Sequence, residues 1–84
     1  MKIEILYAVD YENNNERTSL LAAENRTSLD RGFVEEKVKE LLLDRYGMTD
    51  RQIEELVDAI CEGDVAAFGA YGFHWETVEM QPIA

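Results

Sequence analysis

Eighty-four residues, 46% hydrophobic and 31% charged, describe one small globular domain spanning residues 1–84 rather than a disordered chain. Eighteen acids against eight bases leave a net charge of −10. That balance argues against direct binding to nucleic acid and against docking on an anionic membrane, because both draw their affinity from clustered Lys and Arg.

The one cysteine, Cys61, allows no internal disulfide and fits a reducing, cytoplasmic compartment. No apolar run reaches the ~18 residues of a membrane span, and Glu4 interrupts the N-terminal run "MKIEILYAV", so no signal peptide is expected. The charge is uneven. Residues 1–49 carry ten acids and seven bases, a net of −3, whereas residues 50–84 carry eight acids and Arg51 alone, a net of −7.

In chain order, Ile3, Ile5, Tyr7, Val9 and Tyr11 alternate with Lys2, Glu4, Leu6, Ala8 and Asp10. Period-two alternation with β-branched and aromatic residues on one face predicts a half-buried strand, with the Ile3 row inward. The run "ENNNE" follows, and consecutive asparagines favour a turn because they tolerate positive φ and bond their own backbone. Residues 17–24 suit either a hairpin return strand or a short helix; the preceding turn favours the strand.

From Leu29 the period becomes helical, with Phe33, Val34, Val38, Leu41, Leu42 and Tyr46 forming the apolar stripe. Asp30 or Ser28 can cap its start, and Gly47 stands where a left-handed stop belongs. Thr49 and Gln52 form a capping box for a second helix. Its apolar face is Ile53, Leu56, Val57 and Ile60, and Gly63 ends it. Val65–Phe68 is a short apolar run, Gly69 and Gly72 bracket a turn, and Phe73–Met80 alternates as a last strand. The predicted class is therefore α+β: a small antiparallel sheet with a helix pair on one face, in the order ββααββ, or βααββ if residues 17–24 are not a strand.

Few constellations carry chemistry. Asp10, Glu12, Asn14 and Glu16 alternate like the start of a calcium loop, but the twelfth position, where a bidentate Glu must close such a site, is Leu21. A turn is the expectation, with no metal. Cys61 and His74 are the only soft ligand pair, too few for a structural zinc site and lacking an orienting third group for nucleophilic catalysis. "FGAYGFHW" lacks the Lys of a phosphate-binding loop and any base to accompany its aromatics. Neither an enzyme nor a cofactor is indicated.

The acidic rows cost something. Glu54, Asp58 and Glu62 stand at i, i+4 and i+8 of the second helix, with Asp50 one turn earlier and Glu55 alongside; Glu36, Glu40 and Asp44 repeat the spacing on the first. Each like-charge pair destabilises a helix by roughly 0.2–0.5 kcal/mol, and acids at a helix C-terminus oppose the macrodipole.

Two readings follow. In the first, the chain is a non-enzymatic module that presents Glu54, Glu55, Asp58 and Glu62 as a carboxylate ridge, with Tyr71 and Trp75 as anchors, to a basic protein partner such as a nucleic-acid-binding enzyme. Such a ridge mimics the phosphate spacing of DNA. By size and charge alone, the analogy is to inhibitors carried by phages and mobile elements, and to antitoxins. In the second, the chain is a homo-oligomeric structural or regulatory domain, a homodimer pairing through a strand face or the aromatic hairpin, and its acidity serves only solubility.

Overall fold

The computed structural model describes residues 2–63 and 65–79. Four strands, β1 (Lys2–Asp10), β2 (Glu16–Ala23), β3 (Val65–Phe68) and β4 (Tyr71–Glu79), form an antiparallel sheet in the order β2-β1-β4-β3. Between the hairpins in sequence come a single 3-10 turn, Arg26–Ser28, and two longer helices that pack together on one face of the sheet. The first, α1, runs over residues 31–46; the second, α2, is Asp50–Glu62. The order is ββααββ and the class α+β, as the periodicities predict.

Local chemistry explains most boundaries. In the β1–β2 loop, Asn14 and Asn15 both take φ of 57°, which turns the chain, and the Asp10 carboxylate accepts from the Glu12 amide. Asp30 caps α1 by accepting from the Gly32 amide at 2.8 Å. Gly47 ends that helix with φ of 56°, its N–H donating to the Leu43 carbonyl at 2.9 Å. The capping box on α2 is complete: Thr49 Oγ1 accepts from the Gln52 amide and Gln52 Oε1 accepts from the Thr49 amide.

The core lies between the sheet and the helix pair. Leu6, Ala8, Ala66 and Phe73 supply the sheet side, while Val34, Val38, Leu42, Ile53, Leu56, Val57 and Ile60 supply the helix side. On α1 the buried residues fall at i, i+4 and i+8. Four residues overshoot one α-helical turn, so a straight helix would carry that row off the core; the π-helical stretch Lys39–Leu43 widens the turn and holds Leu42 in line.

Three expectations are corrected. The Ile3 row does not face the core: Leu6 is 0% and Ala8 2% exposed on the helix side, whereas Ile3, Ile5 and Tyr7 are half-buried on the opposite face and only Val9 of that row is buried. Register decides this, because Ala8 pairs with Phe73 and Leu6 with Trp75, which puts the bulkiest core residues on the Leu6 face. Glu4 and Asp10 share that face at its ends, where Arg26 and Arg45 meet them. Phe33, assigned to the stripe of α1, is 56% exposed, since the i, i+4 row starts at Val34. Finally, Gly72 lies inside β4 rather than at the turn: Phe68 pairs with Tyr71 across a two-residue Gly69-Ala70 loop, so β4 begins two residues earlier than Phe73. Met80, the expected end of that strand, lies outside the described residues.

Candidate interaction surfaces

The carboxylates of α2 point away from the sheet, as the buried row Ile53, Leu56, Val57 and Ile60 requires. They do not form an unbroken ridge. Asp58 is held by Arg31, which reaches across from the start of α1, and Glu55 Oε1 accepts from Arg51 Nε at 3.1 Å, one turn earlier. The contact with Asp58 raises the Arg31 pKa above its ordinary value, chiefly through that hydrogen bond. Asp50, Glu54 and Glu62 are exposed, and among the described residues no ion pair engages them. On α1, Glu35 pairs with Lys39 and Glu40 with Lys37.

Tyr71 and Trp75 sit on the helix side of β4, beside Phe73, where both work as internal joints. Trp75 Nε1 donates to the Ile60 carbonyl at 2.8 Å, tying β4 to the last turn of α2, and the Arg26 guanidinium lies 5.8 Å from the indole centroid. The Tyr71 hydroxyl accepts from Arg45 Nη1 at 3.1 Å. Arg45 also meets Glu12 at 2.8 Å and Asp10 at 3.7 Å, so one side chain at the end of α1 fastens the β1–β2 loop to the hairpin of β3 and β4. Its pKa is raised, first by the bond to Tyr71.

The opposite face of the sheet is a different surface. Every buried sheet residue of the core cluster lies on the helix side, and among the described residues no helix packs on the other. The cross-strand pairs place Ile3 beside Val78, Ile5 beside Ala22 and Glu76, Tyr7 beside Ser19 and His74, and His74 beside Val65. At its centre the Arg17 guanidinium lies 4.1 Å above the Tyr7 ring and reaches Glu76 Oε2 at 2.8 Å. His74 also stacks with Tyr7, with centroids 5.6 Å apart, and its Nε2 is 3.3 Å from Glu76 Oε1. Among the described residues, Glu76 is the one acid and Arg17 the one Lys or Arg on this face of the strands, and they pair with each other. The apolar row of this surface is visible in the sequence, but Arg17, Tyr7, His74 and Glu76 come together only through strand register.

Cys61 and His74, paired by composition, are kept apart by the sheet: Cys61 packs with the helix-side cluster, His74 projects from the other face. Burial raises the Cys61 pKa; Arg31 opposes that shift, while Asp58 and Glu62 add to it. Three of the four alternating oxygen-bearing residues are engaged: Asp10 accepts from the Glu12 amide, Glu16 Oε2 accepts from Asn13 Nδ2 at 2.6 Å, and Glu12 is taken by Arg45. Among the described residues no group of three His, Cys, Asp or Glu side chains is placed to hold a metal ion, and no helix is long and apolar enough to cross a membrane. No protein-family model matches this chain, nor does any curated protein or solved structure.

Proposed function

We propose that this chain is a non-enzymatic protein-binding module that docks through the open face of its sheet. The observation that carries the reading is the row Ile3, Ile5 and Tyr7, flanked by Val78 and, beyond His74, Val65, on a face that no helix among the described residues covers. Ile3, Ile5, Tyr7 and Val78 are half-buried and Val65 is 75% exposed; partly exposed apolar rows of this kind on a small domain are where association occurs. Tyr7 and Arg17 at its centre are residue types enriched where proteins meet. A reducing, cytoplasmic setting fits the single thiol.

A second reading keeps the acidic helical side as a surface for a basic protein, including a nucleic-acid-binding enzyme. Its support is that Asp50, Glu54 and Glu62 remain exposed and outside any ion pair among the described residues. Complementary charge there would govern association rate and orientation more than affinity. With Glu55 and Asp58 already paired, and Tyr71 and Trp75 turned inward, the face offers steering without an apolar anchor.

Affinity capture by the immobilised chain separates the two. Proteins, including free copies of the same chain, that are retained by wild type and by Glu54→Lys/Glu62→Lys but lost with Ile5→Lys support docking on the sheet. Retention that ignores Ile5→Lys and fails with the helix variant transfers the function to α2.

A further inference from the structure

The chain distributes its charge so that one surface differs from all others. Among the described residues, the open face of the strands carries one acid and one Arg, Glu76 and Arg17, and these are bonded to each other across Tyr7. The helical side carries Asp50, Glu54 and Glu62 without ion-pair partners among the described residues. A partner rich in Lys and Arg is therefore drawn to the helices and finds nothing to match on the sheet. A partner that carries the same strong negative charge meets the net acidity of the helical side there, and no net charge on the strands' open face. The copy of this chain is such a partner.

Resting on the reading that the open sheet face is the docking surface, we infer that its occupant is a second copy of this chain, packed sheet against sheet about a two-fold axis. Stacked sheets lie ~10 Å apart, which leaves both helical layers on the outside. The α2 carboxylates of the two copies are then separated by at least ~20 Å, well past the ~8 Å screening length of physiological salt. Like charge therefore opposes this arrangement only weakly.

Dimensions agree. Nine-residue strands β1 and β4 are ~30 Å long at ~3.3 Å per residue, and four strands ~4.8 Å apart are ~19 Å wide. The flat footprint is on the order of 500 Å², which side-chain relief brings toward the ~800 Å² per partner of a standard interface. Extension of the sheet edge to edge is blunted instead. β3 has only four residues, and β2 bulges at Leu20, since Leu6 pairs with Leu21 but Tyr7 with Ser19. Face-to-face packing is the association the fold leaves open.

Sedimentation equilibrium of the full chain, from micromolar to millimolar concentration, tests this directly. Wild type is expected at twice the monomer mass at the upper end. Ile5→Lys, which sets a second cation beside the Arg17–Glu76 pair in the middle of the interface, is expected to weaken dimerisation on the order of 100-fold or more. Val78→Lys, at the end of the same row, gives a second variant should Ile5→Lys fail to fold, with far-UV circular dichroism reporting folding for both. Glu54→Lys on the helical side is expected to leave the mass unchanged, and added salt to strengthen the dimer slightly. A wild-type monomer across the whole range overturns the inference, as does a dimer indifferent to both sheet variants. If the monomer nevertheless captures another protein that Ile5→Lys loses, docking on the sheet stands and only the second copy is refuted.

Discussion

The indole N–H of Trp75 and the backbone carbonyl of Ile60 meet at 2.8 Å, joining the middle of β4 to the last turn of α2. The bond uses a carbonyl near the helix end, where intrahelical partners run out. It also commits the polar edge of the chain's single tryptophan to the interior. Trp75→Phe is expected to cost about 1–3 kcal/mol, because it removes the donor and leaves the carbonyl part-buried. Urea unfolding followed by circular dichroism measures the loss. A change below about 0.5 kcal/mol would show that water replaces the indole at no cost.

Gly69 and Gly72 should respond differently to the same substitution. Gly69 has φ of +57°, and a Cβ there would lie 2.5 Å from the Tyr46 ring, whose hydroxyl accepts from the Ala70 amide. Gly69→Ala therefore strains the turn and displaces the tyrosine, and a loss of about 1–3 kcal/mol is expected. At Gly72 the new Cβ meets the Tyr11 hydroxyl at 2.5 Å, but Tyr11 is 60% exposed and can swing away. Gly72→Ala is expected to cost less than about 1 kcal/mol. Equal melting temperatures for the two variants would refute the contrast.

The carboxylates of α2 are not equivalent. Glu54 stands in a row of acids with no ion pair among the described residues, whereas Asp58 holds Arg31. Glu54→Lys exchanges repulsion for attraction along the helix and gives up only a minor attraction to Arg31, while Asp58→Lys removes Arg31's hydrogen-bond partner and sets two cations in contact. The melting temperature of Glu54→Lys is expected at or above wild type and that of Asp58→Lys below it. The reverse order would mean that the Arg31 contact contributes nothing.

Cys61 is expected to behave as an inert thiol. Burial raises its pKa above the ordinary value, Arg31 offsets this in part, and Asp58 and Glu62 reinforce it. A thiol with a raised folded-state pKa holds its proton more tightly when folded, so the associated stability is present at neutral pH. It is lost as pH rises through the unfolded thiol's range toward the folded value. At pH 8 the native protein should react with iodoacetamide more slowly than the urea-unfolded chain, and Cys61→Ala should flatten the alkaline decline in melting temperature. Faster reaction of the native protein would reverse the assignment.

The amino-acid pattern alone determined the elements that rest on local chemistry. The Thr49–Gln52 capping box, the left-handed stop at Gly47, the buried row from Ile53 to Ile60 and the asparagine turn are each settled within a few residues by backbone bonds and helical or strand period. The tertiary structure decided what depends on partners distant in sequence. Which face of β1 is inside follows from the pairing of Leu6 with Trp75 and Ala8 with Phe73, nearly seventy residues on. A strand apolar on both faces carries no local mark of which one meets the helices. The π-helical stretch in α1, which keeps Leu42 on the core and leaves Phe33 outside, answers to packing against α2 rather than to its own composition. The same holds for the surfaces: the acidic row was legible as a row, but its interruption by Arg31, and the meeting of Arg17, Tyr7, His74 and Glu76 on the open face, exist only once helices and strands have been brought side by side.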